Sequence, residues 1–125
     1  MVARALADRL QGRDDLLVID AGLAPENFTG PARRFRPDLV ILIDAAQMDA
    51  SPGAIRWLDW AETDGLSAST HTLPPYVLAR FLVMDSGCAV GLVGIQPAGN
   101  AFGAPLSPPV QAAVREVVDT LVALL

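Results

Sequence analysis

The sequence contains no lysine, one histidine and one cysteine, and each shortage argues against a class of function. Nine arginines stand against fourteen acidic residues, and the formal net charge is -5. Because this balance leaves no extended basic surface to neutralise phosphates, we expect no nucleic-acid partner. The single cysteine, Cys88, excludes an internal disulfide and a paired-cysteine zinc site, which fits a reducing compartment.

Long apolar runs are also missing. No stretch reaches the roughly 18 to 20 apolar residues that span a bilayer, and the first residues lack the features of a secretory signal. We therefore expect a cytoplasmic protein with no membrane insertion. Hydrophobic residues make up 52% of the 125 positions and charged residues 18%, which favours a single folded domain over residues 1–125.

Alternating helix-like and strand-like segments predict an α/β fold with a mostly parallel sheet. Helices are predicted at 1–10, from about Pro74, and from Pro108 to the end, where Ser107 is a candidate cap. The predicted apolar stripes are Val77, Leu78, Phe81 and Leu82 in the second helix and Val110, Val114, Val117, Val118, Leu121 and Leu125 in the last. Strands are predicted at 16–20, at 39–43 and in the segment AVGLVGIQP. A further strand is predicted at 54–60, nearer an edge of the sheet and after the turn Ser51-Pro52-Gly53, with an antiparallel direction considered for it.

Polar residues follow three of the predicted strands: Asp20, Asp44 and Gln96. Ligands of open α/β sheets bind at the carboxyl ends of strands, so these positions are candidates for a site. Taken alone, each of them is more simply interpreted as a local turn or a helix cap.

His71 is a candidate metal ligand or catalytic group because it lies in a loop, SASTHTLPP, ahead of a predicted helix. The signal is weak, since one histidine cannot form a zinc site without help from carboxylates. Cys88 has no neighbouring histidine or positive charge, which favours a small buried hydrophobe over a nucleophile. Trp57 and Trp60 are interpreted as cover for the rim of the sheet, with substrate contact as the alternative.

Four segments in order, VIDAGLAPEN, RPDLVILIDAAQMDASPGAIRWLD, STHTLPP and VGLVGIQP, resemble the hydrogenase maturation endopeptidases. The resemblance covers nearly the whole chain and is nearest to the branch that serves formate-hydrogenlyase-type enzymes. It implies a three-layer α/β/α sandwich with a twisted, mostly parallel sheet. It also implies an endopeptidase that removes the carboxyl-terminal extension of the nickel-iron hydrogenase large-subunit precursor after nickel insertion.

The site implied by the resemblance is a set of side chains that inspects nickel already seated in the precursor. Asp44, in LIDAA, and His71, in STHTLPP, match two of the family's three metal-sensing positions. The loop after the first strand, which includes Asp20, Glu26 and Asn27, matches the region associated with substrate choice, with turn formation as the alternative. No separate catalytic nucleophile and no organic cofactor are implied, and Gln96 is expected to order the site.

The resemblance departs from the family pattern at the amino terminus. Family members begin with a strand and a GN....GDDG loop that carries the first acidic ligand, and this chain is expected to lack both. A misassigned start, a truncated form and a shortened relative are the explanations we consider. Two other functions stay open: a noncatalytic nickel-checkpoint or precursor-binding scaffold, and a generic α/β ligand-binding domain, although no phosphate loop is present.

Overall fold

The computed structural model describes residues 2–19, 29–59, 75–98 and 107–125. Within them the elements follow in the order α1 (Val2–Arg9), α2 (Thr29–Phe35), β1 (Leu39–Ala45), β2 (Ile55–Leu58), α3 (Pro75–Ser86), β3 (Ala89–Ile95) and α4 (Pro108–Leu124). This arrangement of helices around a small mixed sheet confirms the predicted α/β class.

The sheet of the described residues has the strand order β1-β3-β2. β1 and β3 are parallel, and their register runs from Leu39 opposite Ala89 to Ala45 opposite Ile95. β2 is antiparallel to β3, with Ile55 opposite Ile95 and Leu58 opposite Leu92. The prediction of an antiparallel edge strand is therefore confirmed. One of the two pairings is parallel, so the described sheet is mixed rather than mostly parallel.

Two hydrophobic clusters contact alternate residues of the strands. The larger cluster joins α1 and α4 to Val93 and Ile95, with Ile41 and Ile43 packed against it. The smaller cluster joins Leu78 and Leu82 of α3 to Cys88, and the strand residues packed against it are Val40, Leu42 and Val90. Because successive side chains of a strand point to opposite faces, the two clusters lie on opposite faces of the sheet.

The helices follow the predicted apolar stripes with one shift. In α4 the buried residues are Val110, Ala113, Val117, Val118 and Leu121, so four of the six predicted stripe residues are buried, whereas Val114 is half-buried and Leu125 is exposed. In α3 the buried residues are Leu78, Ala79 and Leu82, whereas Val77 and Phe81 are exposed although they belong to the predicted stripe. The buried stripe is therefore rotated relative to the predicted one, and it includes the small residue Ala79 in place of Val77 and Phe81.

The predicted strand at 16–20 is wrong in its described part, because residues 16–19 form no strand. A strand needs a neighbour for its backbone hydrogen bonds, and these residues form no ladder with β1, β2 or β3. Val18 instead packs against the cluster of α1 and α4. The apolar character of this segment thus serves packing rather than sheet formation.

α2 is an element that the sequence reasoning missed. It contains Gly30 and Pro31, which usually argue against a helix, but the first turn of a helix tolerates proline because its N–H groups have no intrahelical partner. Arg36 has φ 56°, in the left-handed region, and Pro37 follows it, so the helix ends there.

None of the four described helices has both the length and the apolar character required to cross a membrane.

Candidate functional site

Asp44 is the next-to-last residue of β1, at the carboxyl end of the strand as predicted. It lies opposite Gly94 of the parallel strand β3 and is partly buried. By strand alternation its side chain is on the same face as Val40 and Leu42, the face covered by α3. The Ala45 N–H donates to Asp44 Oδ1 at 2.9 Å, which is the local contact expected of an aspartate where a chain leaves a strand.

The chain after β1 folds closely over β3 at Gly94. A Cβ added to Gly94 would lie 3.0 Å from the Ala46 Cβ and 3.2 Å from the Met48 Sδ. The Ala46 N–H also donates to the Ile95 carbonyl at 3.0 Å, which extends the hydrogen bonding of β1 beyond Asp44. A side chain at position 94 would push this segment away from the sheet, so the glycine permits the close approach.

Gln96 follows β3 directly and is the buried polar residue of the described core, with an exposed fraction of 4%. Its Oε1 accepts from the backbone N–H of Met48 at 2.6 Å and from that of Ala50 at 3.4 Å. Its Nε2 donates to Gln47 Oε1 at 2.6 Å and to the Pro97 carbonyl at 3.3 Å. The amide is thus bonded on both sides, as a buried polar side chain requires.

The backbone of Gln96 also holds the turn that leads into β2. Its carbonyl accepts from the Gly53 N–H at 2.9 Å, and its N–H donates to the Ala54 carbonyl at 2.9 Å. Gly53 has φ 88°, and a Cβ there would lie 2.5 Å from the carbonyl oxygen of Pro109. The turn therefore packs directly on the first residues of α4 at the carboxyl edge of the sheet.

Ser107 occupies the predicted cap position of α4, but its side chain makes no capping hydrogen bond. Pro108 and Pro109 supply no N–H at the first two helical positions, which removes one of the usual donors. The hydroxyl oxygen of Ser107 is buried and has no partner. The cap prediction is correct in position and wrong in contact.

Four of the predicted site residues lie outside the described residues: His71, Asp20, Glu26 and Asn27. Trp60 and the serines of the His71 loop also lie outside them. Within the described ranges, no group of three or more His, Cys, Asp or Glu side chains could hold a metal ion. Of the candidates at strand ends, the structure brings Asp44 and Gln96 to the same edge of the sheet.

Cys88 and Trp57, for which the sequence favours a structural role, make packing contacts in the fold. Cys88 is buried, and its Sγ contacts the Leu82 carbonyl at 3.7 Å, which confirms the interpretation as a small hydrophobe. Trp57 is 63% exposed on the edge strand β2, and its ring occupies the space where a side chain on Gly91 would lie. It covers the rim of the sheet, as predicted.

Sequence reasoning missed the contributions of Gln47, Gly53 and Gly94. Gln47 is an exposed residue two positions after β1, and no periodicity distinguishes it from other surface glutamines. The only signals were the Ser51-Pro52-Gly53 turn and a glycine inside the apolar run of β3, which commonly marks a close backbone approach.

Two arginine–aspartate pairs among the described residues lie on the surface. Arg33 and Asp85 join α2 to the end of α3 with two hydrogen bonds of 2.9 and 3.0 Å. Arg13 and Asp15 pair at 2.7 Å, and the hydrogen bond from Arg13 lowers the pKa of the Asp15 carboxyl.

Comparison with known proteins identifies the family. The model of the HycI hydrogenase maturation protease family matches residues 1–124. The hydrogenase 3 maturation protease of Escherichia coli K12 is 36% identical over 106 residues, which are 84% of this chain and 67% of that protein. A Methanocaldococcus jannaschii relative that also carries a hydrogenase maturation protease name is 31% identical over 111 residues, 89% of this chain and 65% of that protein. The chain thus spans about two thirds of the length of these curated relatives.

Solved structures agree with this assignment. The crystal structure of the nickel-iron hydrogenase maturation protease HycI from Thermococcus kodakarensis has a TM-score of 0.86 at 26% identity, over 98% of this chain and 78% of that one. The solution structure of the endopeptidase HycI from Escherichia coli has a TM-score of 0.82 at 30% identity, over 98% of this chain and 77% of that one. The resemblance in the four sequence segments is confirmed, and the chain belongs to the hydrogenase maturation protease family.

Proposed function

We propose that this chain is an endopeptidase that removes the carboxyl-terminal extension of a nickel-iron hydrogenase large-subunit precursor after nickel insertion. The observation that carries the proposal is the position of Asp44 at the carboxyl end of β1. Buried contacts such as the hydrogen bond from the Met48 N–H to Gln96 hold this edge of the sheet in a defined geometry. Membership of the protease family supplies the reaction class. The nickel ion is part of the substrate, so the chain needs side chains that recognise it rather than a complete metal site of its own.

Asp44 and His71 are the proposed nickel-recognising residues. A carboxylate oxygen and an imidazole nitrogen are donors that nickel accepts, so both side chains fit a supplementary role beside the precursor's own ligands. α3 begins at Pro75, four residues after His71 in the sequence. Since α3 ends only two residues before β3 begins, its first turn is directed to the edge where Asp44 lies.

The carboxylate of Asp44 would align the nickel-bearing region of the precursor, and the loop with Asp20, Glu26 and Asn27 would contact the precursor and select among hydrogenases. When bound, the nickel of the substrate would supply orientation or polarisation of the scissile carbonyl. The proposal requires no serine or cysteine nucleophile, and Cys88 is buried.

The proposal also includes a three-layer architecture and a cytoplasmic location. The described helices lie on both faces of the sheet, which supports a three-layer α/β/α sandwich for the domain. A single buried cysteine supports a cytoplasmic location, where a hydrogenase precursor would be met.

The test is to incubate the chain with nickel-loaded and nickel-free large-subunit precursor and to follow the intact mass of the precursor. We expect loss of the carboxyl-terminal peptide with the nickel-loaded form alone, and no loss with Asp44→Asn or His71→Ala. Binding of the loaded precursor without any cleavage would overturn the protease assignment and favour a noncatalytic checkpoint. Cleavage by both variants at the wild-type rate would remove Asp44 and His71 from the site.

A further inference from the structure

We infer that Gln96 is a positioning residue, whose buried amide sets the direction in which Asp44 presents its carboxylate. The inference rests on the proposed function for its catalytic consequence, but its structural content stands on contacts at the end of β3. Gln96 and Asp44 belong to neighbouring parallel strands, and Asp44 is one residue before the last pair of the ladder, Ala45 opposite Ile95.

Two backbone N–H groups hold the chain beyond β1 to the end of β3. On the sheet side, the Ala46 N–H bonds to the Ile95 carbonyl at 3.0 Å. The next anchor is the Met48 N–H, which bonds to Gln96 Oε1 at 2.6 Å, inside the protein. Asp44 therefore precedes a segment that is held at two successive points, and the end of β1 cannot fray without breaking a buried hydrogen bond.

The neighbours of the Gln96 side-chain amide determine which way it is oriented. Two backbone N–H groups face the oxygen, and two acceptors, the Gln47 side chain and the Pro97 carbonyl, face the nitrogen. A flipped amide would place donor against donor and acceptor against the Pro97 carbonyl. Only one orientation satisfies the backbone contacts, and a fully bonded buried network of this kind specifies a single geometry.

Gln96 is itself held in place by hydrogen bonds of its backbone. Its backbone bonds to Gly53 and Ala54, the last two residues of the turn before β2, both at 2.9 Å. That turn lies against Pro109 of α4. Gln96 therefore couples the segment after Asp44 to β3, the turn and α4, which is the kind of outer support that side chains around a metal need to keep their orientation.

The experiment compares Gln96→Met, Gln96→Glu, Gln47→Ala and Leu82→Ala in the full chain. Methionine keeps the approximate length but accepts no comparable bond from Met48. Glutamate in the neutral form that such burial favours keeps an acceptor oxygen for both backbone N–H groups and an O–H donor for Gln47 or Pro97. Gln47→Ala removes only the exposed partner. Leu82→Ala removes a core side chain of α3 that is 2% exposed and takes no part in these hydrogen bonds, and it is the control for lost stability alone.

Two spectroscopic measurements test the structural content without any precursor. We expect Gln96→Met to speed hydrogen exchange of the Met48 amide by about tenfold, because its acceptor is lost, and to shift the carboxyl carbon signal of Asp44 but not that of Asp85. Gln96→Glu should keep the Met48 amide protected. Unchanged Met48 exchange or an unchanged Asp44 signal in Gln96→Met would overturn the inference, whether or not the chain proves to be a protease.

A third measurement tests the catalytic consequence. With nickel-loaded precursor, single-turnover cleavage by Gln96→Met should fall by about 10- to 100-fold, the range typical of lost support behind a metal-contacting residue. Binding of nickel-free precursor should not change, and Gln96→Glu should recover most of the rate. An equal loss in Leu82→Ala, compared at matched stability, would show that Gln96 acts through stability alone and would overturn the positioning role. Absence of cleavage by the wild-type chain would count against the proposed function and leave the two spectroscopic tests to decide the inference.

Discussion

At the carboxyl edge of the sheet Gly53 lies against the backbone of Pro109, whereas at the amino edge Gly87 has nothing within 4 Å of the position of a Cβ. The polar contacts differ in the same way. Gln96 is bonded in the interior at the first edge, and Arg33 and Asp85 form an exposed ion pair at the second. Both edges have a glycine with positive φ and polar cross-connections, but the Gln96 amide is buried, whereas the Arg33–Asp85 pair is exposed.

This difference indicates where the chain requires precise geometry. Buried hydrogen bonds and backbone contacts tolerate few alternatives, while exposed ion pairs contribute little and rearrange in water. Asp44 lies at this same carboxyl edge, which is where ligands of open α/β sheets bind. Substitutions at the carboxyl edge should therefore affect both stability and processing, and matched substitutions at the amino edge should affect neither strongly.

The largest contrast is expected between two aspartates. Asp44→Asn should lower the rate of precursor processing by at least about 100-fold, because the amide loses the negative charge proposed to recognise nickel. Asp85→Asn, at the end of α3, should leave the rate unchanged. The rates are followed by the intact mass of nickel-loaded precursor, with thermal unfolding as the check that both variants fold. Equal rates for the two variants would contradict the comparison.

The second contrast uses the two glycines. Gly87→Ala should lower the free energy of unfolding by about 1 kcal/mol, from backbone strain alone. Gly53→Ala should lower it by about 3 kcal/mol, since a contact with the Pro109 carbonyl adds to the same strain. Urea denaturation of the two variants measures the difference. Equal midpoints would show that the turn can move away from α4 without loss.

A smaller effect is expected from the ion pair at the amino edge. Arg33→Met removes both hydrogen bonds to Asp85 but keeps most of the aliphatic length. Because the pair is exposed, the denaturation midpoint should not change measurably, and neither should precursor processing. A clear loss of stability would mean that α2 is held to α3 mainly by this pair.

The smallest effect concerns pH and the pair of Arg13 and Asp15. The hydrogen bond from Arg13 lowers the pKa of Asp15 in the folded chain, so its contribution to stability is present above the unfolded pKa of about 3.9 and is lost as pH falls through the lowered folded pKa. Any difference in stability between the wild type and Asp15→Asn should therefore disappear in acid. Denaturation at neutral and at acid pH measures this, and a difference that grows in acid would contradict the sign.

Much of the fold could be predicted because most elements have a periodic apolar pattern. α4 and β3 were predicted almost at their observed bounds, since α4 shows one helical period, β3 is a continuous apolar run, and a proline or a turn flanks each. α2 was missed because a short helix with glycine and proline in its first turn has no periodic signal. The apolar segment at 16–19 was misassigned because burial can come from packing on helices as well as from a sheet.

The site was predictable in part. Asp44 was found because a polar residue directly after an apolar run marks the end of a strand, and the structure confirms that position. His71, Asp20, Glu26 and Asn27 stay predictions, since they lie outside the described residues. Gln96 was recognised as a candidate, but its partners could not be named, because Met48 is 48 residues away in the chain.

The sequence by itself determined the α/β class, the position of Asp44 at a strand end and the family, because these depend on local periodicity and on short motifs in order. The tertiary structure alone decided which face of α3 is buried, that residues 16–19 pack without joining the sheet, and that Gln96, Gly53 and Pro109 meet behind the segment that follows Asp44. Those features depend on contacts between distant parts of the chain, and the energy of such a contact is a property of the pair and its burial rather than of either residue's neighbours in sequence.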